Sequence, residues 1–174
     1  MDKPALRALA VAAMLCSIAC SGVTWRNYQK SPDYRRPSDL RVVIYARGGK
    51  GSVESSLRAG ELLGTALKRA LSQENIGSTV VQGALDPPPA PRAELRILSW
   101  DGDSRGLRDM IGMGTGGATL VVDCAVFLPN SSAPMFRGVV FGSARDQYES
   151  SDQAIDDTAR AIAKEIAAIG RASD

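Results

Sequence analysis

The residues best suited to chemistry gather in one stretch, DGDSRGLRDMIGMGTGG, from Asp101 to Gly117. Gly112, Gly114 and Gly117 meet the G-x-G-x-x-G spacing of a pyrophosphate cradle. That cradle works only where a strand precedes the glycines and a helix succeeds them, because the phosphates are held by helix N-terminal amides. Gly117 leads instead into ATLVVDCAVFL, in which Leu120, Val122, Cys124, Val126 and Leu128 alternate onto one side of a strand. The second glycine loop, RGGKGS, does lead into a helical pattern, but Lys50 is succeeded by Gly51, and no glycine stands five positions before Gly49. The Walker arrangement therefore fails. A calcium loop starting at Asp101 would have Arg105 at its fifth position and Gly112 in place of the bidentate glutamate. Asp101 and Asp103 are close enough for acid/base work, yet turn aspartates ordinarily bond their own backbone. The chain contains no histidine, which removes the Ser-His-Asp and Cys-His arrangements and every imidazole metal ligand. The expectation is a non-enzyme with no catalytic residues, no nucleotide, no metal and no other cofactor.

The N-terminus carries a different signal. Lys3 and Arg7 precede an apolar run from Ala8 to Ile18, and Ala19 stands just before Cys20. This is the layout of a secretory signal, and the run falls short of the roughly 20 residues needed to span a bilayer. Ser17 to Cys20, SIAC, resembles the lipobox of bacterial lipoproteins, which implies a lipid on Cys20 after removal of residues 1–19. Ser21, next in the chain, resembles outer-membrane sorting. Of the three cysteines, Cys16 would be removed and Cys20 lipidated, leaving Cys124 alone and no internal disulfide. Residues 20–39, rich in polar residues and lacking a hydrophobic period, read as a flexible tether of ~60 Å maximum reach. Residues 40–174 read as a single globular domain. A net charge of +2 with 23% charged residues gives no nucleic-acid footprint.

The elements are set by periodicity. LRVVIYA reads as a strand, and Val53 to Glu74 as a helix whose sheet-facing stripe holds Val53, Leu57, Gly60, Leu63, Gly64, Leu67, Ala70 and Leu71. STVVQ, ELRILSW, ATLVVDCAVFL and MFRGVVFGS read as further strands, with DPPPAP confined to a surface connection. Ser150 with Gln153 forms a capping box, and Ile155, Ala159, Ile162, Ile166 and Ile169 make the seam of a closing helix. The order is β-α-β-β-β-β-α: an α/β or α+β fold with one mixed or largely antiparallel sheet and two long helices on one face.

Arg108, Gly112, Gly114 and Gly116, set before a hydrophobic strand, resemble the arginine-glycine segment R-x-x-x-G-x-G-x-G of the domain-of-unknown-function 4410 family of bacterial envelope lipoproteins. The likeness runs from about Leu40 to Ile169, and Met113 departs from the aromatic residue common at that place. The element order also resembles, more distantly, the penicillin-binding-protein activator and curli-secretion lipoproteins. The resemblance implies a lipid-anchored envelope protein at the periplasmic face of the outer membrane. Its expected partners are the membrane, through the anchor, and an envelope protein, with Arg105, Arg108, Gly112, Gly114 and Gly116 as the interaction or fold-organising segment. A small-ligand or glycan-binding envelope domain is the alternative.

Overall fold

The computed structural model describes residues 22–46, 53–83, 90–102, 118–144 and 151–168. Six strands and two helices succeed one another as β1 (Val23–Lys30), β2 (Asp39–Tyr45), α1 (Val53–Gln73), β3 (Gly77–Gln82), β4 (Arg92–Asp101), β5 (Thr119–Phe127), β6 (Phe136–Ser143) and α2 (Ser151–Ala168). The strands form one mixed sheet in the order β1-β6-β5-β4-β2-β3. β2 is parallel to β3 and β4, while the β4-β5, β5-β6 and β6-β1 pairs are antiparallel. From Asp39 onward this is the expected order, and it is an α+β fold.

Both helices lie on one face. Their seams, Leu63, Leu67 and Leu71 from α1 with Ile155, Ile162 and Ile166 from α2, join Val42, Ile44, Leu95, Leu120, Val122, Val126, Phe136 and Val140 of the sheet in one core. Close approach is set by glycines. A Cβ at Gly64 would stand 3.0 Å from Val80, and one at Gly142 of β6 would collide with Thr158 of α2. Val53 and Leu57 depart from the expected stripe: both are exposed, Val53 by 62%. The cause is overhang. Gly60 already packs against Ala46 and Gln82, just beyond β2 and at the last residue of β3, so the helix turns before it extend past the sheet.

The tether is corrected more substantially, because residues 23–30 form the edge strand β1 rather than a free linker. Val23 pairs with Gly142, and the Gly22 carbonyl accepts a 2.8 Å hydrogen bond from the Ser143 amide. A bulge between Arg26 and Gln29, with Asn27 at φ 52°, shifts the register. Trp25 and Tyr28, three residues apart, thereby both meet Phe136 on the helix side, with centroids at 5.5 and 5.4 Å. The segment to β2 crosses beneath the ends of three strands, roughly 20 Å at the usual strand spacing. It is fixed there by buried Tyr34, by the Ser31 amide on the Met135 carbonyl, and by Arg36 on the Glu74 carbonyl. Only Ser21 separates Cys20 from the first sheet-bonded residue, so the reach between Cys20 and Gly22 is about 7 Å instead of tens.

Strand directions place the entry point. Val23, Tyr45, Gln82, Asp101, Thr119 and Ser143 share one end of the sheet, and β2, β4 and β6 begin at the other. The glycine-rich segment joins antiparallel β4 to β5, so it does lead into a strand. Among the described residues, no helix is long and apolar enough to cross a membrane.

Candidate interaction face

The helices cover one side of the sheet, and among the described residues no element covers the other, which is therefore called the bare side. Strand alternation puts Arg41, Val43 and Tyr45 of β2, Arg92, Glu94 and Arg96 of β4, Asp123, Ala125 and Phe127 of β5, and Arg137, Val139 and Phe141 of β6 on the bare side, in register. Three of its arginines lie over aromatic rings: Arg26 over Phe141 at 4.7 Å, Arg92 over Phe127 at 4.1 Å and Arg96 over Tyr45 at 5.2 Å. Ring quadrupoles attract the guanidiniums, and the rings shield apolar carbon from water in return.

Arg92 organises the lower half of this face. It is only 8% exposed. Its Nε donates to Glu94 Oε1 at 3.0 Å, and Nη1 and Nη2 reach the Ser131 carbonyl at 3.4 and 3.5 Å. One side chain thus holds the β5-β6 connection against the sheet. The Ser131 hydroxyl donates to the Ala133 carbonyl at 2.8 Å, and Asn130 takes φ 58°, so the connection is further shaped from within. The result is a groove of about 310 Å³ lined by Glu94, Arg96, Asp123, Phe127, Pro134 and Arg137, among others.

Charges across the groove are unequally matched. Arg137 is bonded to Asp123 through Nη2 at 2.9 Å and Nε at 3.3 Å, which holds its guanidinium still more firmly protonated. Arg96, its side chain 61% exposed, approaches Glu94 only to 3.9 Å because that carboxylate is committed to Arg92. Arg41 faces Arg92 across the β2-β4 pair, like charges on neighbouring strands, and its buried Nε has no acceptor among the described residues. Asp39, next on that side of β2, turns toward Gly77 instead.

Cys124 lies on the opposite, helix-covered side and is fully buried. Burial raises its thiol pKa far above the ordinary value, and the negative charges of Asp123 and Glu165 add to the effect. Burial likewise pushes up the Tyr34 phenol, with Cys124 contributing. Tyr28 is raised by burial and then by its hydrogen bond to Glu165. Cys124 and Tyr34 are core groups, whereas Tyr28 is 43% exposed.

The residues singled out from the sequence, Cys20, Arg105, Arg108, Gly112, Gly114 and Gly116, lie outside the described residues. The bare face was missed although its signal is present: RAELR on β4 and RGVVF on β6 carry alternate arginines and aromatics where a doubly covered strand would be apolar on both sides.

No protein-family model matches the chain, so the likeness to the domain-of-unknown-function 4410 family gains no support there. No curated protein matches it in sequence. Solved structures do share its fold. The PelC dodecamer from Paraburkholderia phytofirmans superposes with a TM-score of 0.52 at 11% identity, covering 86% of this chain and 99% of that one. A single-residue variant of the same dodecamer gives 0.53 at 12% identity over the same shares. A candidate lipoprotein from Caulobacter crescentus gives 0.40 at 18% identity, over 75% of this chain and 88% of that one. The class defined is a PelC-like sheet backed by two helices.

Proposed function

We propose that this chain is a non-catalytic bacterial lipoprotein, anchored through Cys20 at the periplasmic face of the outer membrane, which binds a protein partner with its bare sheet face. The observation that carries the reading is the asymmetry of the sheet: one side is sealed by two helices, while the other presents arginines stacked on aromatic rings around an open groove. Arginine and aromatic residues are enriched where proteins meet proteins. The PelC fold supports it, since PelC forms a dodecamer and so uses the same scaffold against protein neighbours.

The anchor and the face are tested separately. Cys20→Ala should release the chain from membranes and abolish acyl labelling; a variant that stays membrane-bound and labelled overturns the anchor. A photo-reactive residue in place of Val139, at the middle of the bare face, should yield a protein adduct in intact envelopes. One in place of Lys68, on the exposed side of α1, should not. Equal yields from both, or none from Val139, overturn the face.

A further inference from the structure

Resting on that reading of the face, we infer that its occupant is an acidic, extended protein segment whose carboxylates are taken by Arg96 and Arg41. The bare face is short of carboxylates where its guanidiniums stand. Asp123 is spent on Arg137 and Glu94 on Arg92. Arg96 is left with a 3.9 Å contact, and Arg41 sits opposite Arg92 with no ion pair among the described residues. An occupant carrying carboxylates supplies what both lack, and a guanidinium fork suits a carboxylate in two-point contact.

Spacing defines the segment. Arg96 lies four residues along β4 from Arg92, the cross-strand neighbour of Arg41. At ordinary strand dimensions the two backbone positions are roughly 14 Å apart. An extended chain covers that distance in four residues, so acidic residues at i and i+4 match it. Between them on that side lie the register partners Val43 of β2 and Glu94 of β4, so a neutral residue suits the middle of the segment, while the groove floor of Ala125 and Phe127 lies across β4 toward β5.

Two other anionic occupants fit less well. Sugar rings pack on open aromatic faces, and Phe127, Tyr45 and Phe141 each already carry a guanidinium. The membrane lies at the wrong end. The chain enters the sheet at Val23, whereas Arg41 stands at the opposite end of the strands, roughly 20 Å away.

The test uses the full chain bearing Cys20→Ala and a fluorescent ten-residue peptide with glutamates at its third and seventh positions, valine at the fifth and serines elsewhere, read by anisotropy. Saturable binding that weakens as salt rises is expected, together with at least fivefold weaker binding to the analogue with glutamines in place of the glutamates. Arg96→Gln and Arg41→Gln should each weaken peptide binding at least fivefold. Arg69→Gln on α1 should leave it unchanged. Thermal unfolding separates loss of a contact from loss of the fold: the Arg41→Gln midpoint should hold or rise, since an unmatched guanidinium is removed. Polygalacturonate and anionic phosphatidylglycerol vesicles serve as the saccharide and lipid probes. Tighter binding of either than of the peptide overturns the proposal. So does concentration-dependent self-association abolished by Arg96→Gln, which would make the occupant a second copy. Absence of peptide binding, or binding indifferent to both arginines, overturns it as well. In each case an adduct from position 139 in envelopes would leave the broader assignment of the face standing.

Discussion

Arg92 is nearly buried, shares Glu94's carboxylate at 3.0 Å, caps the Phe127 ring and reaches the Ser131 carbonyl, so several parts of the candidate site depend on one side chain. Arg92→Leu would strand the mostly buried Glu94 carboxylate and release the β5-β6 connection. The expected loss is about 2–3 kcal/mol, a midpoint lowered by roughly 5–10 °C in thermal unfolding. Arg96→Gln, at an exposed position, should change stability by less than about 0.5 kcal/mol. Cys124 and Tyr34 make a second residue-scale prediction. Their folded pKa values lie above the ordinary 9.0 and 10.0. The folded state therefore keeps protons that the unfolded chain gives up, and stability that is complete below pH 9 should fall as pH rises beyond it. Unfolding midpoints between pH 8 and 10.5 check this, and Cys124→Ala should flatten the early part of the decline. Cys124 should also resist alkylation at pH 8 until denaturant is added, as mass spectrometry of its peptide would show.

Among the elements, β1 turns most on a single backbone feature. Asn27 at φ 52° lets Trp25 and Tyr28 both meet Phe136, and asparagine tolerates that conformation where a β-branched residue does not. Asn27→Val should cost about 1–2 kcal/mol in denaturant unfolding, while Asn27→Gly should change stability by less than about 1 kcal/mol. The same bulge explains why β1 was not legible in the sequence. Period-two alternation fails across W-R-N-Y, and the flanking polar residues read as linker. The other strands and both helices were legible because Val42, Ile44, Leu120, Val122, Ile155 and Ile162 repeat with the periods of their elements. Helix overhang was not legible: Val53 and Leu57 continue the apolar stripe of α1, and only the sheet's length shows that no described strand runs beneath them. The bare face was legible in part. Alternate arginines on β4 mark a strand with one wet side, but the pairings that leave Arg96 and Arg41 unmatched belong to the register across three strands.

At the scale of the whole molecule, Cys20 precedes by two residues Gly22, which is bonded to Ser143, so the proposed anchor there would hold one end of the sheet close to the lipid. The groove and Arg41 lie toward the far end, turned to the periplasm in the proposed orientation. In the proposed assembly a partner in the envelope covers the bare face and not the helix layer. Hydroxyl-radical footprinting tests it most directly, comparing the anchored chain in intact envelopes with the purified Cys20→Ala chain. Oxidation of Phe141, Tyr45 and Pro134 should fall in the envelope, while that of Leu62 on α1 should stay the same. Protection of Leu62 with Phe141, Tyr45 and Pro134 unchanged would place the partner on the helix layer instead.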